Sequence, residues 1–271
     1  MSRCPAAPRR VRIDLAYDGT DYAGWQFQGD RRTLQSTLES TLARLQGGRT
    51  VRVRAAGRTD AGAHARQQVA DCRIATRLED PELRRALVAL LPPDLRPTSV
   101  RTVDADFDSQ RMAQRKTYIY RIDRTRHGDP FRARFALHHP HAFDPKLLDG
   151  PLQNLVGRHD WSGFTDSRCR VENRVREMHE SDYVEHDGQG LFLFTADGFL
   201  TYMVRNIVGT LLAIAGLRAP GQLVETVLAA RDRRLAAATA AAKGLCLWRV
   251  AYADDPPDST TKPAAQALPV P

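Results

Sequence analysis

Residues 51–75 read VRVRAAGRTDAGAHARQQVADCRIA. VRVRAA and QQVADCRIA have strand composition, and the stretch between them has neither the length nor the apolar spacing of a helix. Two strands therefore follow one another directly. Outward from them the period changes. Upstream, TLQSTLESTLARLQGG puts Leu34, Leu38, Leu42 and Leu45 on one helical stripe, with Thr33 as its cap and Gly47 and Gly48 as its stop. Before that helix Val11, Ile13, Leu15 and Tyr17 alternate with Arg12 and Asp14, the period of a half-buried strand. Downstream, Asp80 and Pro81 open a helix carrying Leu83, Leu87 and Leu90, which Pro92 and Pro93 stop, and TSVRTV is a further strand. The order is β-α-β-β-α-β, the split βαβ plan.

The second half repeats this loosely. RKTYIYRI (115–122) is a strand, a helix is predicted over 143–156, strands near 173–184 and 190–196, an apolar helix from 199, an extra helix over 221–230, and LCLWRVAY (245–252) as the closing strand. Pro151 falls inside the 143–156 helix and should kink or shorten it. The expected fold is α+β: two βαββαβ, ferredoxin- or RRM-like halves that form a continuous mixed sheet with a central cleft, a natural ligand site. The expected organisation is a flexible tail at 1–10, an N-terminal subdomain at 11–108 carrying Asp60, a C-terminal subdomain at 109–253, and a Pro- and Ala-rich disordered tail at 254–271.

The chain has 271 residues, a hydrophobic content of 42% and a charged content of 27%, the composition of an ordinary globular protein. A formal net charge of +8, carried almost entirely by arginine, favours a polyanionic partner such as nucleic acid. Cys4, Cys72, Cys169 and Cys246 form no CxxC pair, which argues against a zinc site or a disulfide framework and fits a cytoplasmic location. FLTYMVRNIVGTLLAIAG (199–216) is apolar, but Arg205 and Asn206 inside it favour a buried core helix over a membrane span.

Within AGRTDAGAHAR (56–66), Asp60 has no other carboxylate near it before Asp71. Asp-Ala-Gly is ordinary turn chemistry, yet Gly57 and Gly62 permit close approach of a ligand, and Arg58 and His64 add polar reach. An aspartic-protease pair is excluded, because the order is Thr-Asp and the motif has no second copy. HHPH (His138, His139, His141) is interrupted by Pro140 and is expected to be a loop, not a metal site. Arg205 sits at the margin of the stripe formed by Leu200, Met203, Val204, Ile207, Val208 and Leu211. It stays protonated, so it either snorkels to solvent or pairs with an acid, for which Asp60 is the candidate. Tyr118 and Tyr120 share one strand face, as core aromatics or as a stacking surface for an extruded base.

Together these residues resemble the tRNA pseudouridine synthase A family. The resemblance rests on YDGTDYAGWQFQ (17–28), AGRTDAGAHARQQV (56–69), RKTYIYRI, MVRNIVGTLL (203–212) and AAATAAAKGLCL (236–247), in that order, and spans roughly residues 11–252. It implies an isomerase that converts uridine to pseudouridine at positions 38, 39 and 40 of the tRNA anticodon stem-loop, needs no metal or organic cofactor, and works as a homodimer with tRNA as its partner and no membrane. It also implies the roles of individual residues. Asp60 matches the essential aspartate, and Arg58 the arginine that holds the place of the extruded nucleotide. Tyr118 matches the tyrosine stacked on the target base, Arg205 the basic partner of the aspartate, and Leu245 a residue packing on the other side of the base. Two positions depart from the family pattern: Tyr202 stands where a histidine or other polar residue is common, and Ala63 where valine is usual.

The rival reading is a non-catalytic RRM-like RNA-binding protein. The strand QQVADCRIA lacks the stacking aromatics that such a protein uses. An RNA-modifying enzyme that depends on a cofactor would need a Gly-rich phosphate loop or a metal cluster, and the sequence offers neither.

Overall fold

The computed structural model describes residues 7–255. Most of both expected tails lies outside those residues, although Arg9 and Arg10 already belong to the first strand. The chain is α+β, with ten strands among the described residues. It packs as two compact units, one of residues up to Gln114 together with Leu247–Ala253, the other chiefly Arg115–Cys246. Residues 109–114, expected in the second half, go with the first for a visible reason. The Ser109 N–H donates to the Asp71 carboxylate (2.9 Å), the Tyr252 hydroxyl donates to the Ser109 carbonyl (2.6 Å), and the Gln114 N–H donates to Ala251 (2.9 Å).

The first unit holds β1 (Arg9–Tyr17), α1 (Leu34–Leu45), β2 (Val53–Ala55), β3 (His64–Ile74), α2 (Asp80–Leu90) and β4 (Leu95–Thr102). β1 lies between antiparallel neighbours, with Ile13 opposite Ala70 of β3 and Val100 of β4. On its far side β3 is flanked by β2 and by Leu247–Ala251 of the last strand. Thr33 caps α1 by accepting from the Ser36 N–H, and Gly47 and Gly48 (φ +73° and +84°) end it. Leu34, Leu38 and Leu42 of α1, Leu83 and Leu87 of α2, and Val11, Ile13 and Leu15 of β1 are fully buried. Each such burial contributes about 1.5–3 kcal/mol.

The second unit holds β5 (Arg115–Asp123), β6 (Leu137–His138), α3 (Asp149–Leu155), β7 (Gly157–Asp160), β8 (Val175–His186), β9 (Gln189–Ala196), α4 (Met203–Ala215), α5 (Leu223–Ala230) and the start of β10 (Leu245–Ala251). Its antiparallel order is β5-β9-β8-β7, and the parallel pairing of β6 with β5 makes the sheet mixed. β6 and β7 were not expected, since a two-residue strand and the sequence GRHD show no alternation. The helix over 143–156 is a 3-10 turn, Pro145–Leu148, running into α3. Pro151 sits in the first turn of α3, where a missing N–H removes no intrahelical bond. The apolar helix begins at Met203, not at 199, because Tyr202 is left-handed (φ 61°) and cannot extend the helix towards its N-terminus. Among the described residues no helix is long and apolar enough to cross a membrane, and no group of three or more His, Cys, Asp or Glu is placed to hold a metal ion.

Candidate active site

The loop between β2 and β3 is held through hydrogen bonds along most of its length. Thr59 is buried, and its hydroxyl shares a 2.8 Å hydrogen bond with that of Tyr17. The Thr59 carbonyl accepts from the Trp25 N–H (3.0 Å), and the Gly57 carbonyl from the Gln68 side chain (2.7 Å). The Ala63 N–H donates to the Asp60 carbonyl (3.1 Å) and the Gly62 N–H to the Tyr22 carbonyl (3.3 Å), which closes the turn with Gly62 at φ +78°. Asp60 is left half-buried at the apex and Arg58 exposed. A carboxylate on a backbone fixed in this way can meet a reacting atom with little reorganisation.

What backs the loop is the segment 17–28. Gly24 has φ +93°, and a Cβ there would lie 2.8 Å from the Thr59 carbonyl and 3.2 Å from the Asp60 carbonyl carbon. A Cβ at Gly19 would run into the Ala63 carbonyl, and the Gly19 N–H donates to His64 Nδ1 (3.1 Å). The glycines in YDGTDYAGWQFQ were the available signal. The turn itself is anchored through Tyr22, whose hydroxyl donates to Asp94 (2.6 Å) while the Arg32 guanidinium lies over its ring (4.0 Å). Burial, and then Asp94, push that phenol well above its ordinary range.

In the second unit, Tyr118 and Tyr120 project from one face of β5 with different surroundings. Tyr118 is buried and lies edge-on to Phe199 (5.0 Å, 83°). Tyr120 is fully buried and donates its hydroxyl to the Ala241 carbonyl (2.7 Å). Burial raises the Tyr120 phenol, and the nearby Arg205 charge partly offsets this. Tyr120 is thus a core residue that also pins the segment before Leu245. A Cβ at Gly244 would lie 2.7 Å from its ring.

Arg205 is fixed, not snorkelling freely. Its Nε donates to the Ala240 carbonyl (2.7 Å), the Ala240 N–H donates back to its carbonyl (3.1 Å), and its guanidinium lies 4.9 Å from the Tyr202 ring centroid. Next to it, buried Asn206 donates to the Phe164 carbonyl (2.8 Å) and accepts from Thr239 (2.7 Å) and Arg233 (3.0 Å). A Cβ at Gly209 would run into the Ala238 carbonyl. Residues 236–244 are therefore laid along α4 by Arg205, Asn206 and Gly209, and they deliver Leu245, which is buried, to the start of β10. Asn206 and Gly209 had no expected role, although polar and glycine positions inside an apolar helix were the signal. Arg58 and Asp60 share the loop of the first unit, while Tyr118, Arg205 and Leu245 belong to the second.

The family described as tRNA pseudouridine synthase matches residues 152–253, which span α4 and the segment laid along it. The class is thereby pseudouridine synthase, an isomerase. The tRNA pseudouridine synthase A of Geobacillus kaustophilus is 41% identical over 249 residues, 91% of this chain and 96% of its own. The tRNA pseudouridine synthase A of Streptococcus pneumoniae strain Taiwan19F-14 is 39% identical over 245 residues, covering 90% and 98%. This chain belongs to the tRNA pseudouridine synthase A family, and that membership leaves the RRM-like binding alternative without support. A chain of a solved Cbf5–Nop10–Gar1 complex aligns at 11% identity and a TM-score of 0.30, over 75% of this chain and 54% of that one, a likeness too slight to bear on the fold.

Proposed function

We propose that the protein isomerises uridine to pseudouridine at positions 38, 39 and 40 of the tRNA anticodon stem-loop, with Asp60 as the catalytic carboxylate. The observation that carries this is the Asp60 loop: its backbone is fixed from both sides while its one carboxylate stays half-buried at the apex. The reaction cuts the C1′–N1 bond, turns the uracil, forms C1′–C5, and passes the C5 hydrogen to water as a proton, with no redox change. Attack on C1′, attack on C6, and a glycal route begun by deprotonation all require the same thing of Asp60, an ionised carboxylate. Arg205 acts as its basic partner and favours that ionised form. Tyr118 and Leu245 hold the flipped base, Arg58 fills the place it leaves, and Tyr118 takes the C5 proton. The working form is a homodimer in the cytoplasm, and light scattering on the free protein measures its mass.

The test is to incubate the protein with unmodified tRNA tritiated at uracil C5 and to count label in the water. Release in proportion to enzyme is expected, and no release at any enzyme level would sink the proposal. Arg205→Ala is expected to slow release roughly 10²–10⁴-fold and to lower the melting temperature, since it removes the bond to Ala240. Full turnover with wild-type stability would show the arginine to be dispensable.

A further inference from the structure

The segment that backs the Asp60 loop runs on into a second loop, residues 23–32, which closes on itself. The Ala23 N–H donates to the Arg32 carbonyl (2.9 Å), the Gln28 side chain to the Ala23 carbonyl (2.8 Å), and the Arg31 N–H to the Gln28 carbonyl (3.1 Å). The start of α1 holds it from the other side, with the Leu34 N–H on the Gly24 carbonyl (3.2 Å) and the Gln35 N–H on the Trp25 carbonyl (3.0 Å). Gln35, in the first turn of α1, is itself buried. Its side-chain oxygen accepts from the Phe27 N–H (3.0 Å) and from the Gln26 side chain (2.8 Å), and its amide donates to the Val53 carbonyl (3.2 Å).

On this fixed backbone the two large apolar side chains part company. Trp25 is 2% exposed, whereas Phe27 is 51% exposed. A lone exposed apolar residue is ordinary on a mobile surface. Here the main chain is already ordered, so covering the ring costs little further conformational entropy. The position of Phe27 indicates what covers it. The Trp25 N–H donates to the Thr59 carbonyl (3.0 Å), and Thr59 stands between exposed Arg58 and half-buried Asp60. Two residues of chain span at most about 7 Å, so Phe27 stays close to the residue that is bonded to the Asp60 loop. The chain carries a formal net charge of +8, which suits a polyanion at this edge. Every base has a π-face, and an unpaired base stacks on an aromatic ring whatever its identity.

We infer that Phe27 stacks on an unpaired RNA base next to the uridine presented to Asp60. The inference rests on the tRNA reading of the site, and it adds a contact that holds the strand without reading its sequence. Phe27→Ala, Phe27→Leu and Phe27→Tyr test it, with affinity for unmodified tRNA measured over a range of salt, beside melting temperature and solution mass. The Ala and Leu variants are expected to bind about tenfold more weakly. Their slope of log affinity against log salt should match wild type, because no phosphate contact is lost, and so should their melting temperatures. Phe27→Tyr, which keeps a ring, should keep the affinity. Unchanged affinity in Phe27→Ala, with wild type still releasing tritium, overturns the stack alone. Wild-type affinity in Phe27→Leu also overturns it, since apolar bulk without a π-face would then suffice. Weaker binding together with a lower melting temperature would mark a role in supporting the loop. A smaller solution mass with unchanged tRNA affinity would place Phe27 between two copies of the chain; either result overturns the stack. A wild-type chain that releases no label overturns the tRNA reading and the stack with it.

Discussion

The loop that carries Asp60, the proposed catalytic carboxylate, is packed from behind by glycines, Gly24 among them. Gly24 meets the loop backbone at φ +93°, with room for nothing larger than hydrogen. Gly24→Ala is expected to lower stability by about 1–3 kcal/mol and to slow single-turnover release with little change in tRNA affinity. Melting curves and rapid-quench kinetics check this, and wild-type values in both would mean that the loop tolerates displacement. Much of the candidate site was legible at this scale. Asp60 stood out because glycines and polar side chains crowd a turn that needs neither, and Tyr118 because strand alternation gave it a face. The Tyr17–Thr59 hydrogen bond was not legible. It depends on the register that sets Tyr17 opposite Ala65, and β1 and β3 are joined through a helix and a further strand. Nothing local in either strand fixes that register.

At the scale of elements, α4 acts as a cradle. Helix propensity alone predicts that Gly209→Ala stabilises the protein by roughly 1 kcal/mol. The Ala238 carbonyl occupies the space of the new methyl group, so the opposite sign is expected: a loss of about 1–3 kcal/mol as residues 236–240 are pushed from the helix. Because that segment carries the Ala240 carbonyl that holds Arg205, activity should fall as well. A denaturant melt gives the sign directly, and a stabilised variant would contradict the cradle. The apolar stripe of α4 was readable from its spacing, but its start was not. The four residues from 199 to 202 look as helical as those that follow, and only the left-handed Tyr202 separates them. The roles of Asn206 and Gly209 also became visible only with the crossing segment in place, since their partners lie far along the chain.

Across the whole molecule, buried titratable groups set how the fold responds to acid. Burial would raise the Asp71 carboxyl, but the hydrogen bonds from Arg54 and the Ser109 N–H prevail and hold it below the usual carboxylate range. The charged form is therefore favoured by folding. That stabilisation is present above the unfolded value near 4 and is lost as pH falls through the lower folded value. His139 enters earlier. Its burial, followed by His141, Arg124, Arg218 and His138, pushes it from 6.5 down to about 4, and its Nε2 has no hydrogen-bond partner among the described residues. Between those two values the unfolded chain binds the proton and the folded chain does not, so stability declines as pH falls through that window. Melting temperature should drop first there and again below pH 4, and His139→Phe should flatten the first step only. A first step of undiminished size in that variant would assign it elsewhere. The order of the longer strands and helices at this scale followed from periodicity; β6 and β7 did not, and neither did the passage of residues 109–114 and 247–253 to the first unit. It is set by Asp71, Ser109 and Tyr252, polar partners that carry no periodic signal. The central claim, that the carboxylate held in this loop performs the isomerisation, is tested most directly by Asp60→Ala. Tritium release from tRNA under single-turnover conditions should fall at least about a thousandfold while tRNA affinity and melting temperature stay near wild type; release at a wild-type rate would contradict it.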